Sequence, residues 1–403
     1  MTFGLILFLA CASTPDKPAA ESTSAAVHRI ESGKLKRVKT VGYRPIDPPT
    51  EDASWLLSSL PQGQWDAALA GAAGELVSTL RSPIRMMSPQ AMATATARSG
   101  FPGAARFGKT VTNGSYPSNL VDPIFKAARG RAVDVGMAKR DFADGQVLWV
   151  LGWAPHIADI DPMPRTVALD SGLTVRIDRI DKGDARLFVA PPDSEVRELS
   201  MTSGVARWVD GFDVPGEYRF EVVAEDKGMG EVAMLFSVFA DMPPRRMPNA
   251  PLPPDGAPDP REAEAYLLDA LNTLRAEHGL RPVEPFRLFD GLTREHSALM
   301  GHLGMVAHDL PGHGTVAKRA AAFAHPRAEH FQNVAGAPTA KDALRMVELS
   351  PAHLKNLLCA QCTHVSIGAS LEPVLDRIPR LFVTWELLAF PQGMPREIDD
   401  YNR

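Results

Sequence analysis

The chain has 403 residues, enough for two or three domains with separate cores. An apolar fraction of 45%, a charged fraction of 23% and a net charge of −5 describe a globular protein and argue against a nucleic-acid binder. Thirty-five prolines imply ordered blocks separated by stiff spacers.

The first residues, FGLILFLACAS, form an apolar run too short to cross a bilayer, ending in small residues beside Cys11. The run resembles a bacterial lipoprotein signal, in which such a cysteine is lipidated after cleavage. No Lys or Arg precedes it, however, and Phe8 stands where that signal usually has Leu. An ordinary signal peptide is the alternative. The expectation is a leader over 1–13 and a protein that is either held in the cell envelope through a lipid on Cys11 or secreted. Membrane contact would come through that lipid anchor alone. Residues 14–50, rich in Ser, Ala, Pro and Lys without apolar periodicity, read as a flexible tether.

From 51 to 155 the composition becomes that of an αβ domain. WDAALAGAAGELVSTL has helical spacing at Trp65, Leu69, Ala72, Leu76 and Leu80, and the block ends in the strand-like VLWVLGW. Over 156–242 come short alternating segments, LTVRIDRI, ARLFVA, ARWVDGF, YRFEVVAE and AMLFSVFA, parted by turn signals such as DKGD and VPGEY. They predict an antiparallel β-sandwich of Ig-like size, a spacer or partner-binding module with no catalytic signal. Eight prolines within 243–260 mark an extended, semi-rigid linker.

The last block, 261–395, opens with a helix. Asp259 caps it, Pro260 takes its first position, Glu262 completes a capping box, and Gly279 ends it. Leu267, Leu268, Leu271 and Leu274 line its apolar face. A second helix over about 290–303 carries Leu292, His296, Leu299 and Leu303 in a stripe. A third begins in ELSPAHLKNLLC, where Ser350 caps, Pro351 starts the helix and His353 falls in the first turn. The positive helix end favours a neutral imidazole there. HVSIGASL and RLFVTWELL follow as strands, giving an α-β-α arrangement.

Nine of the eleven histidines lie between residues 278 and 364. Imidazole both binds transition metals and titrates near neutrality, so this clustering is the main chemical signal. No HExxH occurs, and His308, His313, His330 and His353 would converge only through the fold. His296, on the apolar stripe, reads as a hydrogen-bonded core residue, and His278 suits the end of its helix.

LNTLRAEHGLRPV, AHDLPGHG, FQNVAGAPTAKDALRMVELSPAHLKNLL, HVSIGASL and LFVTWELL follow one another in an order that resembles the bacterial branch of the CAP superfamily (cysteine-rich secretory, antigen 5 and pathogenesis-related proteins), or SCP domain. The resemblance implies an α-β-α sandwich over about 261–390 whose cavity holds two histidines and two acids. By motif position these are His308, His353, Glu348 and, where the family has an acid, Gln332. It also implies His308 and His353 as ligands for a divalent metal such as zinc, with no cofactor required. Glutamine takes up no proton and is a poorer cation ligand than a carboxylate. The reading is therefore a protein that binds a lipid, cell-wall or protein ligand. The alternative is a metal-assisted hydrolase, protease or nuclease, using His308, His353 and Glu348. A purely structural CAP scaffold is a third reading.

Cys359-Ala-Gln-Cys362 follows a helix rather than opening one, so a local disulfide is favoured over a metal site with His364. AVDVGMA (132–138) resembles HVSIGAS (364–370), and each precedes a strand containing Trp. The 51–155 block is thus either a degenerate CAP-like copy or an unrelated αβ domain. No histidine lies between 29 and 155, so it would not host the site. The expected fold is α+β multidomain: this αβ block, a central β-sandwich and a C-terminal CAP-type sandwich.

Overall fold

The computed structural model describes Ala10–Cys11 and residues 51–402, except 129, 162, 180–183, 227–228, 253–256, 317, 320–327, 373–379, 397 and 399–401. The leader outside Ala10–Cys11, the tether and His325 lie outside the described residues. Among the described residues no helix is long and apolar enough to cross a membrane. The protein is mixed α and β, built from several sheets and helices.

The front lobe begins with α1 (Glu51–Ser59) and β1 (Gly63–Trp65). Asp66 then starts α2 (Ala67–Thr79) by accepting from the Leu69 amide at 2.8 Å. Its 3.6-residue spacing buries Leu69, Ala72 and Leu76 completely. Ser88 caps α3 (Pro89–Ser99), and Gly100, at φ 80°, ends it in the left-handed region. β2 (Arg106–Thr112), α4 (Val121–Ala128), β3 (Val133–Asp141) and β4 (Val147–Pro155) complete the lobe. The sheet order is β1-β3-β4-β2, with β1 parallel to β3 and the other pairs antiparallel.

The middle unit pairs two antiparallel sheets. One has the order β10-β7-β5, formed by β5 (Ala158–Ile160), β7 (Leu173–Arg179) and β10 (Val205–Trp208). The other contains β12 (Met229–Ala240), β11 (Gly216–Asp226), β8 (Ala185–Ala190) and β9 (Arg197–Ser200) in that order. β6 (Thr166–Val167) and Ala10–Cys11 pair with β12. Side-chain alternation on β11 sends Tyr218, Phe220 and Val222 into the core shared by both sheets. Arg219, Glu221 and Val223 point the other way.

The back lobe comprises α5 (Pro260–Glu277), β13 (Glu284–Pro285), α6 (Asp290–Leu303), β14 (Glu329–Ala337), α7 (Ala340–Leu349), α8 (Pro351–Leu357), β15 (Cys362–Glu372) and β16 (Arg380–Ala389). Its sheet runs β13-β15-β16-β14, the same order and strand directions as the front sheet. Both sheets also let a helix approach a strand glycine. A Cβ on Gly136 would lie 2.1 Å from the Ala70 nitrogen, and one on Gly368 2.3 Å from the Arg294 nitrogen.

The two faces of the back sheet differ in chemistry. Val365, Ile367, Val383, Trp385 and Leu387 pack with Leu267 and Leu271 of α5 and Val347 of α7. The opposite face carries Gln332, Ser366, Thr384 and Glu386 and lies under α6. The stripe expected on α6 is corrected accordingly. Leu303 is 41% exposed, and the helix instead buries Thr293 and Ser297 beside Leu292, His296 and Met300. Thr293 Oγ1 bonds Ser366 Oγ at 3.1 Å, and Ser297 Oγ donates to the Gly368 carbonyl at 2.8 Å.

The proline-rich segment is no free spacer. The Pro251 and Ala250 carbonyls accept from the Met86 amide and the Arg85 guanidinium, and Ala250 is buried in the front core. Proline lacks an N–H but keeps its carbonyl, so such a chain is strapped down through its acceptors. Front lobe and sandwich are joined by the bidentate Arg131–Glu231 pair. Front and back lobes meet where Arg345 binds Gln90.

Candidate functional site

His308 follows α6, and Gln332 and Glu386 face each other on β14 and β16. His353 opens α8. The fold brings the His308 and His353 rings together, with centroids 6.1 Å apart and planes within 10°. Gln332 Nε2 donates to Glu386 Oε1 at 2.7 Å, which turns Gln332 Oε1 toward His308. His308 Nδ1–H donates to that oxygen at 2.7 Å, leaving Nε2 as the lone-pair nitrogen, buried and without a partner. Burial, then the neighbouring His353, holds the His308 pKa down to about 3, so the ring is neutral. Burial also pushes Glu386 up to about 7, and its second oxygen lacks a partner.

The loop bearing His308 is fixed by Arg319, which donates to the His308 and Gly314 carbonyls at 2.7 and 2.6 Å. α8 is held from behind by two asparagines. Asn333 Nδ2 donates to the His353 carbonyl at 3.0 Å, and Asn356 Nδ2 to Asn333 Oδ1 at 2.9 Å. These contacts tie FQNVAG to SPAHLKN. In LNTLRAEHGL, Asn272 pairs with both backbone groups of Val283. The arginine, Arg275, is fully buried and donates to the Leu357, Cys359 and Cys362 carbonyls.

The sandwich supplies a further acid. Glu221 on β11 is fully buried. It accepts from Ser350 Oγ at 2.7 and 2.9 Å and from the Ala352 amide at 2.7 Å. Burial raises its pKa to about 7. When Glu221 is ionised, the single Ser350 proton goes to the carboxylate, so His353 Nδ1–H donates to Ser350 Oγ at 2.6 Å. The sandwich, expected as a spacer or partner-binding module, thus sets an acid against the start of the His353 helix. Phe188 and Val223 pack on Ala352 beside Glu221, closing that side.

Glu348 does not join the cluster. α7 turns Ala343, Met346 and Val347 inward, so Arg345 and Glu348, three apart, lie on its outer side and pair at 2.8 Å. The acid beside Gln332 is Glu386. His330 shares the face of Gln332 but stacks on Phe289 at 5.5 Å, and Glu329 is exposed. Cys359 and Cys362 are bonded to each other, which leaves their sulfurs no valence for a site with His364. His296 Nε2–H donates to the Ala307 carbonyl at 3.0 Å, and its ring stacks on His313.

The donor set does not fit the divalent metal that the resemblance implies. Among the described residues no three or more His, Cys, Asp or Glu side chains group to hold an ion. The Gln332 amide separates the His308 ring from Glu386. Both rings are buried, His308 at 4% and His353 at 0% exposure. Glu386 and Glu221 were legible only as lone acids inside apolar runs, TWELLAF and RFEVV.

No family model matches the chain, and no curated protein matches it. Among solved structures it is similar to an outer surface protein of Borrelia burgdorferi, at 17% identity and TM-score 0.28, over 32% of this chain and 96% of that one. It is also similar to an extracellular protein containing an SCP domain from Bacillus anthracis, at 16% identity and TM-score 0.29, over 72% and 87%. A cysteine-rich secretory protein from Staphylococcus aureus matches at 10% identity and TM-score 0.25, over 58% and 84%. At such TM-scores the overlaps fix neither fold nor role.

Proposed function

We propose that the chain is an exported CAP-type protein that binds an extracellular, lipid or envelope component and hydrolyses none. The observation that carries this reading is the amide of Gln332 between His308 and Glu386. It ties up the histidine donor and one carboxylate oxygen, at a face closed to solvent. A hydrolase needs an open position for water and a base that reaches it. Support for the CAP reading comes from the order of the sequence motifs and from the paired rings of His308 and His353.

Binding falls instead to the surface. A groove of about 990 Å³ lies between the front lobe, the linker and helices α5 and α7, with Met86, Leu252, Tyr266, Leu274, Lys341 and Glu348 on its walls. Tyr266 is 44% and Leu252 56% exposed there, apolar surface left open beside a charged rim. Anchoring through a lipidated Cys11 would hold this groove at the envelope surface.

Co-sedimentation of the purified chain with anionic lipid vesicles, and separately with insoluble cell-wall material, tests the reading. Saturable retention by one of them, reduced about tenfold in the doubly substituted Leu252→Ser/Tyr266→Ser chain, is expected. Retention by neither, or retention unchanged by the substitutions, overturns it.

A further inference from the structure

Where the front lobe, the sandwich and α7 meet, the structure leaves a cavity of about 90 Å³, apart from the histidine cluster and sharing only Pro89 with the groove. Its walls are mostly apolar, with Met92 of α3, Leu235 and Phe236 of β12, and Met346 and Leu349 of α7, and Arg106, Glu217 and Arg219 also reach it. Native interiors close such gaps, because lining atoms lose dispersion contacts across a void. A mostly apolar hollow with a few polar groups is the usual form of a small-ligand pocket.

One wall is charged. Arg219, on the outward face of β11, reaches the cavity and donates to the Glu348 carbonyl. Among the described residues it makes no ion pair with a carboxylate. The acid beside it, Glu217, is engaged by Ser237 at 2.8 Å and by Arg245 at 3.1 Å. Burial lowers the Arg219 pKa to about 10, well above neutrality, so the guanidinium keeps its charge. A planar guanidinium with donors to spare beside an apolar hollow matches a carboxylate carrying a short hydrocarbon tail.

We propose that this three-way junction binds a short-chain carboxylate, its tail among Met92, Leu235, Phe236 and Met346 and its carboxylate at Arg219. A cavity of about 150 Å³ holds one benzene, so 90 Å³ suits a tail of about three or four carbons. Because all three units line the cavity, the ligand stabilises the full chain and not one lobe. The site is independent of the envelope-binding reading.

The test is a thermal melt of the full chain at neutral pH and constant ionic strength, titrated with acetate, butyrate, valerate and octanoate, and with butyramide as the uncharged control. Butyrate and valerate should raise the melting temperature saturably, acetate and octanoate less, and butyramide not at all. Arg219→Gln should weaken the response about tenfold, the loss of one charge-assisted contact. Ala93→Leu, on the cavity wall and leaving the arginine intact, should abolish it by filling the space. If wild type shows no chain-length optimum, or butyramide equals butyrate, the proposal fails on the native protein alone. An unchanged response in a folded Ala93→Leu chain places any carboxylate elsewhere and also overturns it.

Discussion

Replacing Glu221 by glutamine separates the charge of the sandwich–lobe joint from its shape. Glutamine keeps an oxygen to accept from Ser350 Oγ and the Ala352 amide, and it does not titrate. In the native protein burial raises the Glu221 pKa from 4.5 to about 7. Below pH 4.5 the carboxyl is protonated in folded and unfolded chains alike and contributes no slope. Between 4.5 and 7 the unfolded chain gives up its proton while the folded chain keeps it, so stability falls as pH rises. At about 1.4 kcal/mol per unit this loss amounts to about 3 kcal/mol, complete above pH 7. Buried neutral histidines pull the opposite way. His296 and His308 are held down to about 3 and His330 to about 4, so each loses stability as pH falls below 6.5. Those contributions are common to both proteins and cancel in the difference. Urea unfolding of wild type and Glu221→Gln at pH 4.5 and 7.5 is the assay. The variant should gain about 3 kcal/mol relative to wild type between the two conditions. A difference that is the same at both pH values would refute burial as the cause of the shift.

Gln332→Glu should create the third acidic or imidazole ligand that the native site lacks. Zinc titration of the variant by calorimetry should show at least about tenfold tighter binding than wild type, and equal binding would count against the amide as the obstacle. Arg275→Met should cost about 3–5 kcal/mol in unfolding free energy, because the Leu357, Cys359 and Cys362 carbonyls lose a common buried donor. A loss below about 1 kcal/mol would mean that water replaces the guanidinium. Gly368→Ala should cost about 3 kcal/mol or prevent folding, since α6 has no room to retreat from β15. A normal melting temperature in that variant would show that the helix is free to slide.

Local chemistry was legible in the sequence, and long-range convergence was not. Asp259 and Ser350 announce their helices because a cap acts within three residues, whereas the caps at Asp66 and Ser88 went unread. The strands of the sandwich follow from alternation, and α6 from its spacing. Its burial was misjudged because Thr293 and Ser297 face a sheet that is itself polar, so the leucine stripe misled. His308 and His353 were reachable through motif order. Glu348 was the wrong acid because sequence order cannot say which side of α7 meets the cluster. Glu386 lies across a strand pair from Gln332, a relation only register reveals. Glu221 comes from another folded unit, over a hundred positions away from Ser350.

Two sheets wired in one order within a single chain offer each other wrong neighbours during synthesis. The strands do not cross-match in chemistry. β16 sets Glu386 opposite Gln332 of β14, whereas β2, which holds the equivalent place beside β4 in the front sheet, carries no amide side chain. A hybrid sheet that placed β16 beside β2 would entomb a carboxyl with no amide to meet it, a cost of several kcal/mol. On this reasoning the inward glutamate guards assembly as well as orienting the Gln332 amide. Glu386→Leu should accordingly refold with a larger mispaired, aggregating fraction, read by light scattering, even where its native fold melts no lower.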